Sequence, residues 1–207
     1  MILSGKNKHL DVIGSGGHAR SVIALLERCE YTVAGVYDES YIKTETELIS
    51  GIKLRGLVPP GDKRIVLAVG DNVKRAALLG QFGELVLAVS MIHPEAIFEK
   101  DVVLGNYNLV LPRVVMNTEV SVGQNNIINT GAILEHETQV GDHNHISVGA
   151  VLCGRVKLGN YCFVGAGAVI IDKLNITDNV IIGAGAVVVK NITEAGTYVG
   201  NPARRIK

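Results

Sequence analysis

The sequence predicts a small α/β domain with a parallel sheet, followed by a parallel β-helix of hexapeptide repeats. Three observations carry this. From Ile92 to Val188 every sixth residue is apolar, an unbroken run of 17: Ile92, Phe98, Leu104, Val110, Met116, Val122, Ile128, Leu134, Val140, Ile146, Leu152, Leu158, Val164, Ile170, Ile176, Ile182 and Val188. A second period of 18 lies on the first, with Gly105, Gly123, Gly141 and Gly159 in one series and Gly131, Gly149, Gly167 and Gly185 in another. Ahead of this region, Leu10-Asp11-Val12-Ile13 runs through Gly14-Ser15-Gly16-Gly17-His18-Ala19 into an apolar segment of helical character.

A strict six fits neither the 3.6-residue period of a helix nor the two-residue period of a plain strand. Six residues with one buried aliphatic describe a short strand and a turn, and three such units make one triangular coil. The every-sixth residue should point inward and stack on its equivalents above and below. Glycines fall where backbone turns a corner or passes close to its neighbour.

Composition agrees. Apolar residues make up 47% of the 207, enough for a continuous core, while Trp is absent and aromatics are 4%. Lys+Arg and Asp+Glu both number 20, so the balanced charge argues against nucleic acid or an anionic membrane as the main partner. Cys29, Cys153 and Cys162 have no metal-like spacing and read as free thiols of a reducing compartment. No apolar run reaches membrane-spanning length and no signal-peptide core opens the chain, so the expected location is cytoplasmic.

Taken in order, the polar opening from Ser4 to His9 is expected to be frayed. Leu10–Ile13 is then a strand, Gly14–Ala19 a glycine turn and Arg20–Glu27 a helix. The turn fits Gly-x-Gly-x-x-Ala, in which backbone N–H groups and a helix N-terminus approach an anion. Val33–Asp38 reads as a second strand ending on an acidic residue, and Ile65–Val69 as a third running into Gly70-Asp71. Val73–Phe82 is expected to be helical and Glu84–Val89 to form a fourth strand. Parallel strands bring the glycine turn, Asp38 and Asp71 to one edge, where α/β ligands bind. Residues 1–90 thus form a half-Rossmann nucleotide-binding domain, and 91–207 the β-helix domain with its tail.

Within the repeats one cluster stands out. Glu135-His136-Glu137 follows the inward Leu134, and Asp142-His143-Asn144-His145 precedes the inward Ile146. A histidine beside carboxylates is the arrangement of a general base, because the acid fixes the imidazole tautomer and raises its basicity. His136 and His145 lie nine residues apart, half a coil, and are expected to flank one groove across a corner. His136, His143 and His145 with Glu137 also suit zinc on ligand type alone, but without cysteine or evident supporting shell no metal is expected.

These coils, the Glu-His-Glu turn, the ending Tyr198-Val199-Gly200-Asn201-Pro202-Ala203-Arg204 and the front-end Gly-Ser-Gly-Gly-His-Ala resemble the left-handed β-helix acyltransferases. Within them the chain is most similar to the sialic-acid O-acetyltransferase-like branch, and there to bacterial N-acetyltransferases of nucleotide-linked 4-amino sugars, of the UDP-N-acetylbacillosamine-pathway type. The resemblance implies His136 as catalytic base and Glu137 as its carboxylate partner. It implies nucleotide-sugar contacts at Gly16, Gly17, His18, Asp38, Glu39 and Asp71. Acetyl-CoA contacts would fall at His145, Ala166 and Ala184. It further implies direct transfer without an acyl-enzyme, and homotrimers with active sites between subunits. The alternatives are O-acetylation of a sialic acid or polysaccharide hydroxyl, a nucleotide-dependent oxidoreductase, which lacks room for a second nucleotide half, and a non-catalytic nucleotide-sugar sensor.

Overall fold

A computed structural model describes residues 8–39, 48–56 and 64–207; the rest of the polar opening, Ser4 to Asn7, lies outside them. The α/β unit contains β1 (His9–Ile13), α1 (Gly17–Arg28), β2 (Thr32–Asp38), β3 (Leu48–Ile49), β4 (Ile52–Gly56), β5 (Ile65–Leu67) and α2 (Asn72–Phe82). Its sheet runs β3-β4-β2-β1-β5, parallel except for the β3–β4 pair. The C-terminal ends of β1, β2 and β5 lie together, as expected of a half-Rossmann unit. The expected strand at Glu84–Val89 is reduced to a single bridge between Val86 and Ile65. One reason is visible nearby: Met91 already pairs into the β-helix, so the chain leaves the edge after one rung.

From Met91 the chain winds a three-sided parallel β-helix, with mostly two-residue strands stacked at a repeat of 18. The period of six has the predicted meaning. From Val110 onward every residue of that series is buried, whereas Ile92 at the open end is 38% exposed. Each fully buried aliphatic contributes on the order of 2 kcal/mol.

A second buried series, two residues before the first, went unread in the sequence: Val114, Val120, Asn126, Ala132, Thr138, Asn144, Ala150, Val156, Cys162, Ala168, Val180 and Ala186 fill the corners, with Leu174 partly buried among them. Asn108, Asn126 and Asn144 form a ladder within it. The side-chain oxygen of each accepts the backbone N–H of the residue one coil on, ending at Cys162.

The three faces differ on their outer sides. One, the docking face, carries Met91, Leu109 and Ile127 outward, and these join the core of the α/β unit. The next, the apolar face, presents a ladder of Ile97, Val115, Ile133, Val151, Val169 and Val187. The third, the polar face, carries Ser121, Gln139, Lys157 and Asn175. We name the corners by their residues: a glycine corner between docking and apolar faces, a histidine corner between apolar and polar faces, and an asparagine corner between polar and docking faces.

Candidate active site

His136 and Glu137 sit on the histidine corner, between the strands Ile133–Leu134 and Gln139–Val140. His136 Nδ1 lies 3.1 Å from Glu137 Oε2. The same oxygen accepts from Arg155 Nε, one coil away, at 2.7 Å. Hydrogen bonds from His136 and then Arg155 hold the Glu137 carboxyl below its ordinary range, so it stays ionised. A carboxylate only accepts, so Nδ1 of neutral His136 carries the proton and Nε2 keeps its lone pair. Beneath the ring lies Gly154, where an added Cβ would come within 2.5 Å of His136 Nε2 and Cε1. On the other side, Asn117 Nδ2 donates to Glu135 Oε2 at 2.8 Å.

His145 lies elsewhere. It opens a strand of the docking face and is 9% exposed beneath the α/β unit. Its Nδ1 is 3.2 Å from the Gly70 carbonyl and its Nε2 is 3.2 Å from Asn129 Nδ2. The Phe163 ring meets it edge-on, with centroids 5.1 Å apart, and the His18 ring stands 5.9 Å away. Burial, which outweighs the Gly70 bond, pushes His145 down to about 4; burial, then His145 and Arg75, push His18 to the same level. Both are therefore neutral at pH 7. Within one chain His136 and His145 do not flank a common groove: the histidine corner is the vertex opposite the docking face. The nine-residue spacing misled because it spans a corner and a whole face.

The glycine turn, Asp38, Glu39 and Asp71 gather at one edge of the sheet, as the parallel order predicts. Gly16 is the N-cap residue of α1, with no side-chain cap, and Gly17 and His18 form its first turn, leaving the helix start open to an anion. Asp38 Oδ2 accepts from Ser15 N and Oγ, at 2.8 and 2.9 Å, and so braces the glycine turn. Glu39 pairs with Lys74 of α2. Asp71 serves as N-cap of α2, accepting from Lys74 N at 2.7 Å. That occupies one of its oxygens with a structural bond.

Ala166 and Ala184 are exposed on the glycine corner, one coil apart. The left-handed backbone position recurs at all three corners. It holds Asp101, Glu119, Glu137, Arg155 and Lys173 on the histidine corner, and Tyr107, Asn125, His143, Tyr161 and Asn179 on the asparagine corner. On the glycine corner it holds Arg113 and then Gly131, Gly149, Gly167 and Gly185. A Cβ at these four glycines would meet nothing within 4 Å. Glycine relieves the positive φ there, a backbone that side chains bear at the other two corners, while crowding within the chain sets no limit.

Sequence reasoning missed Gly154 and Arg155, although both follow His136 and Glu137 by one 18-residue repeat. It also missed Asn72 and Arg75, which only the packing of α2 on the asparagine corner reveals. Among the described residues no group of three or more His, Cys, Asp or Glu is placed to hold a metal ion, and no helix is long and apolar enough to cross a membrane.

Comparison with known proteins agrees with this architecture. The family described as PglD N-terminal domain matches residues 9–82, and that described as bacterial transferase hexapeptide (six repeats) matches 137–172. A histidine-to-asparagine variant of perosamine N-acetyltransferase from Caulobacter crescentus, in complex with CoA and GDP-perosamine, is 31% identical. The match covers 96% of this chain and 97% of that one, with a TM-score of 0.88. The acetyltransferase domain of PglB from Neisseria gonorrhoeae, solved in complex with acetyl coenzyme A, is 27% identical over 97% of this chain and 100% of that one, with a TM-score of 0.85. UDP-N-acetylbacillosamine N-acetyltransferase from Bacillus subtilis is 33% identical over 116 residues, 50% of this chain and 51% of that protein, so the match spans about half the length of this curated relative. The chain belongs to the hexapeptide-repeat acetyltransferases that carry a PglD-type N-terminal domain.

Proposed function

We propose that this protein transfers the acetyl group of acetyl-CoA to the 4-amino group of a nucleotide-linked amino sugar, in the cytoplasm, at sites formed between the subunits of a homotrimer. The observation that carries the reading is the His136–Glu137 pair, an ionised carboxylate on Nδ1 with Nε2 left as a base, on a corner far from its own nucleotide end. Support for the shared site comes from three features: the outward aliphatic ladder of the apolar face, which needs a partner, the smooth glycine corner at one edge of that face, and the histidine corner at the other. Packing apolar faces together would bring one subunit's His136 towards its neighbour's glycine corner and α/β unit.

In this reading the sugar diphosphate sits at the start of α1, against Gly16, Gly17 and His18, with Asp38 and Glu39 towards the sugar or base. The Asp71 cap makes it a lesser contact. The donor runs along Ala166 and Ala184, near His145. The sugar amine attacks the thioester carbonyl, forming the C–N bond, and His136 Nε2 takes its proton while Glu137 stabilises the imidazolium. The tetrahedral oxyanion collapses, the C–S bond breaks, and the imidazolium returns the proton to the departing thiolate. His145 cannot be the oxyanion donor while its one N–H is committed to Gly70, which leaves coil backbone N–H groups for that role.

The test is thiol release from acetyl-CoA with UDP-, GDP- and dTDP-4-amino sugars, beside free and nucleotide-linked sialic acid. One nucleotide amine should support turnover, and His136→Ala should cut it about 100-fold or more with the fold intact. Release only with a sialic acid would make the protein an O-acetyltransferase, and unchanged turnover in the variant would remove the base assignment.

A further inference from the structure

Arg75 on α2 is 1% exposed and, among the described residues, meets no carboxylate at ion-pair distance, Asp71 acting on it only from further off. Its guanidinium is satisfied by oxygens alone. Nε donates to Asn125 O at 3.1 Å, Nη1 to Val69 O and Gly70 O at 3.1 and 3.3 Å, and Nη2 to Asn72 Oδ1 and Asn144 O at 2.9 and 3.0 Å. Asn72 in turn donates to Cys162 O at 2.9 Å. These bonds reach three successive coils of the asparagine corner and the loop between β5 and α2. A buried cation is costly unless its donors are met, and an apolar side chain would join α2 to the β-helix more simply.

What the cation adds is direction. Gly70 O, which Arg75 holds, is the acceptor for His145 Nδ1, and an acceptor there requires Nδ1 to carry the proton. On the far side, Asn129 Oδ1 accepts from Thr130 N at 2.8 Å, which turns Nδ2 towards His145 Nε2. One donor thus faces the ring at Nε2 and one acceptor at Nδ1, a pattern only the neutral Nδ1–H tautomer satisfies. Asn129 begins the glycine-corner turn that contains Gly131, one face away from Arg75.

We propose that Arg75 is a positioning residue: through Gly70 it fixes His145 in one tautomer and, through His145, seats Asn129 on the glycine corner, so that the docked α/β unit shapes the surface along which the acyl donor lies. The charged or titratable groups facing His145 are Arg75 from α2 and His18 from α1. Arg75 disfavours a second proton on it, in keeping with the neutral ring.

The tautomer half stands without any assumption about the reaction; the donor half rests on the acetyl-transfer reading. The experiment records ¹⁵N-histidine spectra and steady-state kinetics of the full chain for wild type, Arg75→Lys and Arg75→Met. In wild type His145 should show a protonated Nδ1 and an unprotonated Nε2 at pH 7. Arg75→Met should mix the tautomers and raise KM for acetyl-CoA roughly tenfold or more, with kcat less affected, and Arg75→Lys should recover part of both. A folded Arg75→Met protein with the wild-type tautomer, or with a changed tautomer and unchanged KM, overturns the proposal. A purely structural clamp would lower Tm and leave tautomer and KM alone. If Arg75→Met does not fold, Arg75→Lys and Asn72→Ala are read by the same criteria, and wild-type behaviour in both overturns it. Should wild type show no acetyl transfer, the spectra decide the positioning role alone.

Discussion

At His136 the neighbours matter as much as the ring. Adjacent positions in sequence supply its carboxylate, so Glu137 is legible at once. The floor of the site comes from the next coil, where Gly154 leaves no room for a methyl group between itself and His136 Nε2. Gly154→Ala should therefore lift the imidazole off Glu137 without disturbing the inward series, because the added carbon points to the ring and away from the core. Turnover should fall about 10- to 100-fold, with Tm within a few degrees of wild type. Kinetics and thermal unfolding of one preparation check this; wild-type kcat would mean the ring has slack that the contact denies. The exposed Arg155–Glu137 pair adds little stability; it ties down the same Oε2 that faces His136 Nδ1.

At the scale of elements, the β-helix was legible because one aliphatic per six residues is a strong periodic signal. The second buried series was hidden, since Asn126, Thr138 and Asn144 interrupt its apolar character. Polar residues fit there because a tight corner leaves backbone N–H groups facing inward, and an asparagine oxygen reaches them. Replacing Asn126 with Val should thus destabilise the protein although it adds apolar surface. It strands the Asn144 N–H, which Asn126 Oδ1 accepts at 2.7 Å, at a cost of about 1–3 kcal/mol. Denaturant unfolding should show a lowered midpoint; an unchanged or raised one would mean that water replaces the side chain. The same lesson explains the α/β unit. Strand, glycine turn and helix were readable from local pattern, whereas the short β3–β4 pair carries too few residues for any period to register. The edge at Glu84–Val89 looked like a strand by composition, but its fate was set by where the β-helix begins.

For the whole molecule, the candidate site is divided between distant parts of one chain, and sequence spacing had no means of showing this. The base stands on the vertex opposite the face that carries the nucleotide end, so assembly has to complete the site in the reading proposed here. Val151→Lys, on the apolar ladder, should yield smaller particles in size-exclusion chromatography with light scattering and abolish turnover while His136, Glu137 and the α1 start remain intact. A sharper experiment uses two inactive proteins. His136→Ala removes the base. Gly17→Phe crowds the open start of α1, where a Cβ meets nothing within the chain, and should block the diphosphate without strain in the fold. Neither alone should turn over. Co-expressed, they assemble mixed oligomers in which some sites pair an intact His136 from one copy with an intact α1 from its neighbour, and activity should return. A site contained in one chain gives the opposite result, because every chain in the mixture then carries a defect in its own site. Restored turnover in the mixture, set against silence from the two proteins purified separately and combined without exchange, would assign the active site to the junction between copies.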